Sequence, residues 1–194
     1  MKTTEPIRDK RQIRQLVDYY LKRGQIRNYV LIVMGIHTAL RISDLLRLRW
    51  DDVYDFASGR VRQRVTITEK KTGKTKTIAL HKNVTTALQS YVDNAKSGVF
   101  LFENPRTKKA ISRIQAYRII RAAAEAVGIP TPVSCHSLRK TFGYRALKDN
   151  KSNSEIIIII MQIYNHSSVT ITLRYLGITQ DDLNAVYLGA RLVM

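Results

Sequence analysis

The sequence has a single cysteine, Cys135, in 194 residues. A lone cysteine excludes an intramolecular disulfide and a cysteine-based zinc site, so nothing in the composition indicates a secreted, oxidising setting. Its place beside His136 could suggest a thiol nucleophile. A single cysteine more often acts as a small apolar residue, and that is our interpretation here.

Long hydrophobic runs are also absent. The longest apolar runs, residues 29–36 and 156–161, are far too short to span a bilayer, and the N-terminus lacks the apolar core of a signal peptide. The sequence shows no Gly-rich phosphate loop and no carboxylate cluster that could hold two divalent ions. We therefore expect an intracellular protein in the cytoplasm that needs no membrane, metal, nucleotide or other cofactor.

Acidic residues are scarce. Asp and Glu total 15 against 33 Lys and Arg, a formal charge of +18, which strongly favours a polyanionic partner. Residues 152–194 hold only two of the basic residues and three of the acidic ones, so the polyanion should face the preceding part of the chain. The alternative is a basic surface that only keeps the protein soluble.

Apolar periodicity predicts a mainly helical fold with one small antiparallel hairpin, an α+β class. Residues 1–8 read as a polar lead-in, and residues 1–194 as one domain. Helix 25–38 is apolar almost all round and should be central, with His37 structural. Helices are predicted at residues 9–22, 25–38, 40–48, 83–95, 112–127, 134–148 and 154–164, strands at 60–68, 75–80 and 99–102, and caps at Asn83 and Ser134.

Two clusters of charged residues in the first half of the chain are candidates for a catalytic or binding role. In helix 40–48, Arg41 and Asp44 lie one turn apart, so Asp44 should orient the guanidinium. The alternative is an ordinary surface ion pair. Lys70, Lys71 and Lys74 surround the Thr72-Gly73 turn of the hairpin, where a lysine could reach into a cleft or simply contact phosphates.

Two further clusters lie in the second half of the chain. His136 and Arg139, at i and i+3, project together near the start of helix 134–148, where the helix dipole favours a phosphate. Tyr175 follows His166 by nine residues. A phenol that attacks phosphorus needs neighbours that accept its proton and neutralise phosphate charge. Tyr164 is a competing nucleophile, but it precedes the bend at Asn165, where Asn tolerates a left-handed backbone.

The ordered set Arg41, Lys71, His136-x-x-Arg139, His166 and Tyr175 resembles the catalytic residues of the tyrosine recombinases, the phage integrase family. The resemblance covers about residues 7–177 and implies the catalytic-domain fold of that family. It implies that the two arginines bind the scissile phosphate, that Tyr175 attacks it, and that the two histidines assist proton transfer. Lys71 then protonates the leaving 5′-oxygen, with Lys70 as the alternative, and Asp44 occupies the usual acidic position.

The resemblance implies a site-specific recombinase or integrase that acts on double-stranded DNA in a bacterial or phage-host cell. It further implies a homotetramer on DNA formed from solution monomers. The alternatives are a type IB topoisomerase-like relaxase and a non-catalytic DNA-binding regulator. Family members usually carry an additional N-terminal DNA-clamping domain, which we do not find here. Residues 177–194, with Leu183, Val186, Tyr187 and Ala190 at helical spacing, should dock on a neighbouring protomer or on their own domain.

The basic residues outside this set are candidates for DNA contact. The exposed face of the hairpin and the face of helix 112–127 suit phosphate binding rather than base reading. The candidates are Arg62, Arg64, Lys70, Lys74, Arg113, Arg118, Arg121 and Lys140.

Overall fold

A computed structural model of the chain describes residues 4–94, 98–150, 152–178 and 180–189. Within these ranges the protein is mostly helical with two small antiparallel sheets, which confirms the predicted α+β class. The helices are α1 (Lys10–Leu21), α2 (Ile26–His37), α3 (Ile42–Leu45), α4 (Trp50–Val53), α5 (Lys82–Val92), α6 (Arg113–Ala126), α7 (Cys135–Asp149), α8 (Ile156–Tyr164), α9 (Val169–Leu176) and α10 (Gln180–Gly189). The strands are β1 (Tyr54–Asp55), β2 (Arg60–Val61), β3 (Arg64–Thr68) and β4 (Thr75–Ala79).

The chain divides into two compact units, a first unit of residues 1–142 and a second unit of residues 143–194. The division falls inside α7. The single-domain organisation stays a prediction.

Helix α2 is the centre of the first unit. Every residue from Val30 to Ile36 is buried, because this helix carries apolar side chains on all its faces and packs against both α1 and α5. At Gly35 the backbone approaches α7 so closely that a Cβ would lie 2.6 Å from Leu138 Cδ1. The prediction of a central second helix is therefore confirmed.

The hairpin is shorter than predicted, because residues 60–68 do not form one strand. Strand β2 pairs with β1, whereas β3 pairs with β4, so the chain changes partner at Arg62 and Gln63. There the Arg62 N–H donates to Val53 O, and Gln63 O accepts from Leu80 N. Side chains of β3 alternate between exposed and buried, as expected for a strand with one face on the core.

Three other predictions are wrong in detail. Residues 40–48 form only the four-residue α3, because Arg41 is extended and serves as its N-cap. Residues 99–102 form no strand, since Phe100 makes only an isolated bridge with Arg49. The cap of α5 is His81, whose Nδ1 accepts from Asn83 N, rather than Asn83.

In the second unit, α8 and α9 pack against each other around buried Tyr164 and Leu176. Among the described residues no single helix is long and apolar enough to cross a membrane. Together α8 and α9 have the length and composition for it, but they are bent by 84° at the break between them. The predicted C-terminal helix is present as α10. The side chains of Leu183 and Val186, and all of Ala190, lie outside the described residues.

Candidate active site

Arg41 is held by a buried carboxylate from the hairpin. Its Nη1 lies 2.8 Å from Oε2 of Glu69, a residue only 3% exposed. Glu69 directly follows β3 and continues the buried face formed by Val65 and Ile67, so strand periodicity turns its carboxylate inward. Burial alone would raise the Glu69 pKa. Hydrogen bonds from Lys76, Thr72 and Arg41 outweigh it and lower that pKa to about 2.

Asp44 does not orient Arg41, which corrects the expectation from their spacing. The shared helical turn that would have brought the two side chains together does not form at Arg41. Instead Asp44 Oδ1 accepts a 2.9 Å hydrogen bond from the backbone N–H of Lys70. Asp44 therefore supports the base of the hairpin turn.

The turn that follows β3 presents its lysines to solvent. Lys70, Lys71 and Lys74 are all exposed, and Gly73 takes the positive φ of 68° that the turn requires. Thr72 Oγ1 donates to Glu69 Oε2 at 2.8 Å, so the turn is tied to the carboxylate that holds Arg41. Exposure alone does not separate Lys70 from Lys71.

The start of α7 fixes the predicted histidine and arginine pair. Ser134 Oγ accepts from His136 N at 3.2 Å, and Ser137 Oγ accepts from Ser134 N at 3.1 Å, which confirms the predicted cap. Arg139 is 3% exposed and donates from Nη1 to the carbonyl of Ala39. Ala39 has a positive φ of 55°, an uncommon conformation for a residue with a Cβ. This conformation of Ala39, two residues before Arg41, turns its carbonyl towards Arg139.

His136 lies at the surface in a strongly cationic environment. Burial of part of the ring lowers its pKa, and Arg139, Arg113, Lys140 and Arg41 lower it further. The lowered pKa favours the neutral imidazole, which is the form that can accept a proton.

The candidate DNA contacts are mostly exposed, as their proposed role requires. Lys140 departs from this pattern because it is 5% exposed and its ammonium donates to Thr4 O at 2.6 Å. Arg121 is exposed but pairs with Glu125 at 2.5 Å and with Tyr117 Oη at 3.0 Å. The exposed members are Arg62, Arg64, Lys70, Lys74, Arg113, Arg118 and Arg121.

In the second unit, three rings pack as a triangle. Ring centroids are separated by 5.1 Å for His166 and Tyr175, 5.3 Å for Tyr164 and Tyr175, and 5.3 Å for Tyr164 and His166. The two contacts of Tyr175 are edge-to-face, a favourable arrangement for aromatic rings. Tyr164 is fully buried, whereas Tyr175 is partly exposed, so Tyr175 is the better placed of the two to meet a substrate.

His166 owes its position to two local devices. Asn165 adopts the left-handed conformation that asparagine tolerates, φ 54°, and this lets His166 N donate to Met161 O at 3.0 Å. The imidazole Nδ1 then lies 3.1 Å from Thr172 Oγ1, whose hydroxyl also donates to Ser168 O. Ser168 in turn caps α9 by accepting from Ile171 N.

Sequence reasoning missed three residues that hold the predicted ones, Ala39, Glu69 and Thr172, and it also missed Lys76, whose ammonium balances the charge of Glu69. Glu69 could have been found, since it extends the alternation of Val65 and Ile67. Lys76 could have been found with it, since Lys76 faces Ile67 across the hairpin and its Nζ lies 2.8 Å from Glu69 Oε1. The left-handed backbone at Ala39 has no sequence signal, because alanine is not a residue that favours it.

Other titratable groups fit their structural interpretation. Cys135 is half-buried, and burial raises the pKa of its thiol. His37 stacks on His81 with ring centroids 4.8 Å apart, and burial with the His81 charge lowers the His37 pKa to about 4. Over the described ranges, no three His, Cys, Asp or Glu side chains gather as a ligand set for a metal ion.

Comparison with known proteins adds independent support. A model of the phage integrase family matches residues 8–181. The chain is similar to the probable integrase/recombinase YoeC of Bacillus subtilis, with 39% identity over 187 residues, 96% of this chain and 97% of that protein. It is also similar to the tyrosine recombinase XerD of Mycobacterium leprae, with 28% identity over 85% of this chain. The chain spans about half of XerD, at 52%.

Solved structures show the same fold. The XerA recombinase superposes with a TM-score of 0.76 at 23% identity, over 100% of this chain and 67% of that one. The XerH site-specific recombinase superposes with a TM-score of 0.73 at 16% identity, over 96% of this chain and 53% of that one. The match of the family model to most of the chain, with the full-length similarity to YoeC, places this protein in the phage integrase family of tyrosine recombinases, which are DNA strand-transferring enzymes.

Proposed function

We propose that this chain is a site-specific DNA recombinase that cuts and rejoins strands through a 3′-phosphotyrosyl intermediate. The observation that carries the proposal is the partly exposed phenol of Tyr175, packed edge-on against His166 in the last turn of α9. The imidazole ring of His166 therefore lies beside the phenol, and packing fixes the direction of the phenol. An activated nucleophile needs a neighbouring base and an oriented oxygen.

The proposed cleavage step exchanges one phosphoester bond for another. Tyr175 Oη bonds to phosphorus as the bond from phosphorus to the 5′-oxygen breaks. The tyrosine proton leaves towards the histidines, and Lys71, or Lys70, protonates the departing 5′-oxygen. Attack of a 5′-hydroxyl from another strand reverses each change and joins the new partner. The phosphodiester energy is retained in the protein linkage, so no nucleotide is consumed.

Arg41 and Arg139 stabilise the phosphate during this step. Both guanidiniums are fixed by buried acceptors before substrate arrives, Arg41 by Glu69 and Arg139 by Ala39. Donors fixed in advance stabilise developing charge most effectively, because little reorganisation remains for the moment of reaction. Two arginines and a lysine supply the cationic charge, so we expect adduct formation to survive EDTA.

Double-stranded DNA is the proposed partner. The charge of +18 and the exposed arginines of the hairpin and α6 favour a phosphate backbone, and the XerH structure is a complex of that recombinase with its palindromic difH substrate. We propose that the protein acts in the cytoplasm.

Assembly on DNA as a tetramer is proposed through α10. Tyr187 and Leu188 are 80% and 88% exposed, an apolar surface that suits a second protomer, although Lys148 also ties α10 to α7 through Asp182. A chain ending at Ile178 keeps the cap of α9 and should lose assembly on DNA more than cleavage. Unchanged assembly would favour packing of α10 on its own unit.

Covalent trapping from a randomised pool tests the chemistry for any target sequence. The protein is mixed with duplexes that carry a randomised core and a nick, so that cleavage releases a short fragment and cannot reverse. SDS-resistant complexes are captured and sequenced. Wild-type protein should trap a defined set of duplexes, and Tyr175→Phe should bind them but trap none.

A matched control separates the nucleophile from general effects of removing a hydroxyl. Tyr54→Phe, in the first unit, should trap DNA like wild type. Adduct that persists in Tyr175→Phe would overturn the proposal, as would a wild-type protein that traps nothing from the pool. Joined products from two different duplexes would favour recombination, and topoisomers alone would favour a relaxase.

A further inference from the structure

Glu69 is the buried carboxylate around which the cationic residues of the first unit are arranged. It is 3% exposed, and a carboxylate held that far from water is strongly unfavourable unless it is paired and hydrogen-bonded. Its burial therefore depends on its partners. Two of its three side-chain partners come from parts of the molecule to which the proposed chemistry assigns different roles.

The first partner belongs to the phosphate-binding group. Oε2 of Glu69 lies 2.8 Å from Arg41 Nη1. Arg41 sits in extended backbone at the start of the short α3, so little other regular structure fixes its side chain. The carboxylate therefore sets where the guanidinium points.

The second set of partners belongs to the hairpin turn. The same Oε2 accepts from Thr72 Oγ1 at 2.8 Å, and Thr72 is the residue directly after Lys71. The backbone of Glu69 closes the turn as well, because Glu69 N donates to Lys74 O and Gly73 N donates to Glu69 O. The position of Lys71 therefore depends on Glu69 through both its side chain and its main chain.

The third partner balances charge without a role in the proposed chemistry. Lys76 Nζ lies 2.8 Å from the other oxygen, Oε1, and is itself partly covered. Arg41 and Thr72 both bind Oε2, so removal of the Lys76 ammonium leaves their shared acceptor in place. Lys76 is therefore a natural control.

We propose that Glu69 is a positioning residue that couples the phosphate-binding Arg41 to the turn carrying the proposed general acid Lys71. The inference rests on the proposed function. The Glu69 carboxylate fixes two groups that act on opposite sides of the scissile bond, so loss of this carboxylate should impair both groups together. A simpler role, stabilising the hairpin alone, would impair folding but neither group in particular.

The test compares single-turnover cleavage on a duplex that wild-type protein traps, with either oxygen or sulfur as the 5′-bridging atom. A thiolate leaves without a proton, so the sulfur substrate bypasses the general acid. Glu69→Gln keeps the shape but removes the charge. It should slow cleavage of the oxygen substrate by about 10- to 100-fold, as expected when a supporting residue of a catalytic group is lost. The sulfur substrate should restore only part of that loss, because Arg41 is still misplaced.

Two more variants separate positioning from stability. Lys76→Met should lower thermal stability about as much as Glu69→Gln while cleaving within about 3-fold of wild type, because its removal leaves Arg41 and Thr72 in place. Thr72→Val removes the link between Glu69 and the turn, together with a long hydrogen bond from Lys74 N inside the turn, and leaves the Arg41 contact in place. It should therefore slow the oxygen substrate and leave the sulfur substrate near wild type. If Glu69→Gln fails to fold, Thr72→Val and Lys76→Met decide the question.

The outcomes distinguish this inference from the proposed function. Wild-type protein that forms no adduct removes the proposed function itself. Wild-type adduct with undiminished cleavage by Glu69→Gln, or equal loss of rate in Lys76→Met, overturns the positioning role alone. So does Thr72→Val if it slows both substrates equally.

Discussion

The first unit holds its functional side chains through charges and carbonyls, whereas the second unit holds them by packing one ring against another. Arg41 and Arg139 depend on buried acceptors, Glu69 and the carbonyl of Ala39. Tyr175 packs against His166 and Tyr164, and a hydrogen bond with Thr172 adds to this packing at His166. Cations that bind phosphate need acceptors for their unused N–H groups, while a phenol needs mainly a fixed direction. The two kinds of support should fail under different perturbations.

Salt should give the largest effect, and it should act through the first unit. That unit holds 28 of the 33 basic residues, so DNA affinity should depend on counterion release. Raising salt from about 50 to about 200 mM should weaken binding by about 10³-fold or more if six or more phosphates are contacted. Fluorescence anisotropy on labelled duplex measures this. A nearly salt-independent affinity would contradict the expectation that the basic residues of the first unit dominate DNA binding.

Replacement of Arg139 should come next. Arg139→Lys keeps the charge but loses the planar fork that can contact the Ala39 carbonyl and a phosphate together. Adduct formation should slow by about 10²-fold or more, the usual result of losing one preorganised donor. Arg11→Lys, at an arginine whose side chain is 89% exposed, serves as the control and should cleave normally. Equal rates in the two variants would refute the assignment of Arg139.

Replacing one glycine by alanine in each unit, Gly143 in the second and Gly35 in the first, compares how tightly the two units are packed. A Cβ at Gly143 would lie 2.6 Å from Leu176 Cδ2 and would also press on Tyr164, whereas the three atoms nearest to one at Gly35 all belong to Leu138. Gly143→Ala should lower the free energy of unfolding by about 2 kcal/mol, within the usual range for overpacking. It should also slow adduct formation, because Leu176 is next to Tyr175. Denaturant unfolding and trapping measure these effects, and a larger loss in Gly35→Ala would contradict them.

Mild acid should act on the first unit through His37. Its pKa is about 4 in the folded chain against an ordinary 6.5, so the unfolded chain binds the proton more readily between those values. Stability should therefore fall as pH drops from about 6.5 towards 4, by about 1–2 kcal/mol. Glu69 stays charged in this window because its folded pKa is about 2, and the stability it contributes is lost mainly below its ordinary pKa of 4.5, as pH falls towards 2.

His37→Phe keeps the ring stack but cannot titrate. The pH dependence of its unfolding free energy over this window should be flatter than that of wild type. An unchanged slope would assign the acid sensitivity to another group.

The smallest effect should come from Ala39→Gly. Glycine adopts the left-handed backbone without a Cβ penalty, but it adds freedom to the unfolded chain. The two terms nearly offset, so stability should change by less than about 1 kcal/mol, with the Arg139 contact and adduct formation retained. Ala39→Val is the contrasting variant, because a β-branched residue is strained there, and it should lose both stability and rate.

Sequence alone predicted most of the helices, because apolar periodicity is a local signal. The ordered motif supplied the residues proposed for the candidate site. It misplaced the support of Arg41, because the Arg41–Asp44 spacing is informative only inside a helix and α3 begins after Arg41. It also misjudged Lys140, whose neighbours suggest a surface position although its ammonium is buried against Thr4 O. Contacts between residues remote in sequence, such as Arg139 with Ala39, leave no local pattern.

The two left-handed residues that flank α9 have a consequence for variation in length. Asn165 and Gly177 fix where the segment starts and stops, at φ 54° and 71°, and both close the same kind of turn. Each residue of a helix advances its side chain by about 100°, so one insertion between Ser168 and Tyr175 would turn the phenol to another side of the helix. This stretch of the chain should therefore accept exchanges at its exposed positions but no insertion or deletion.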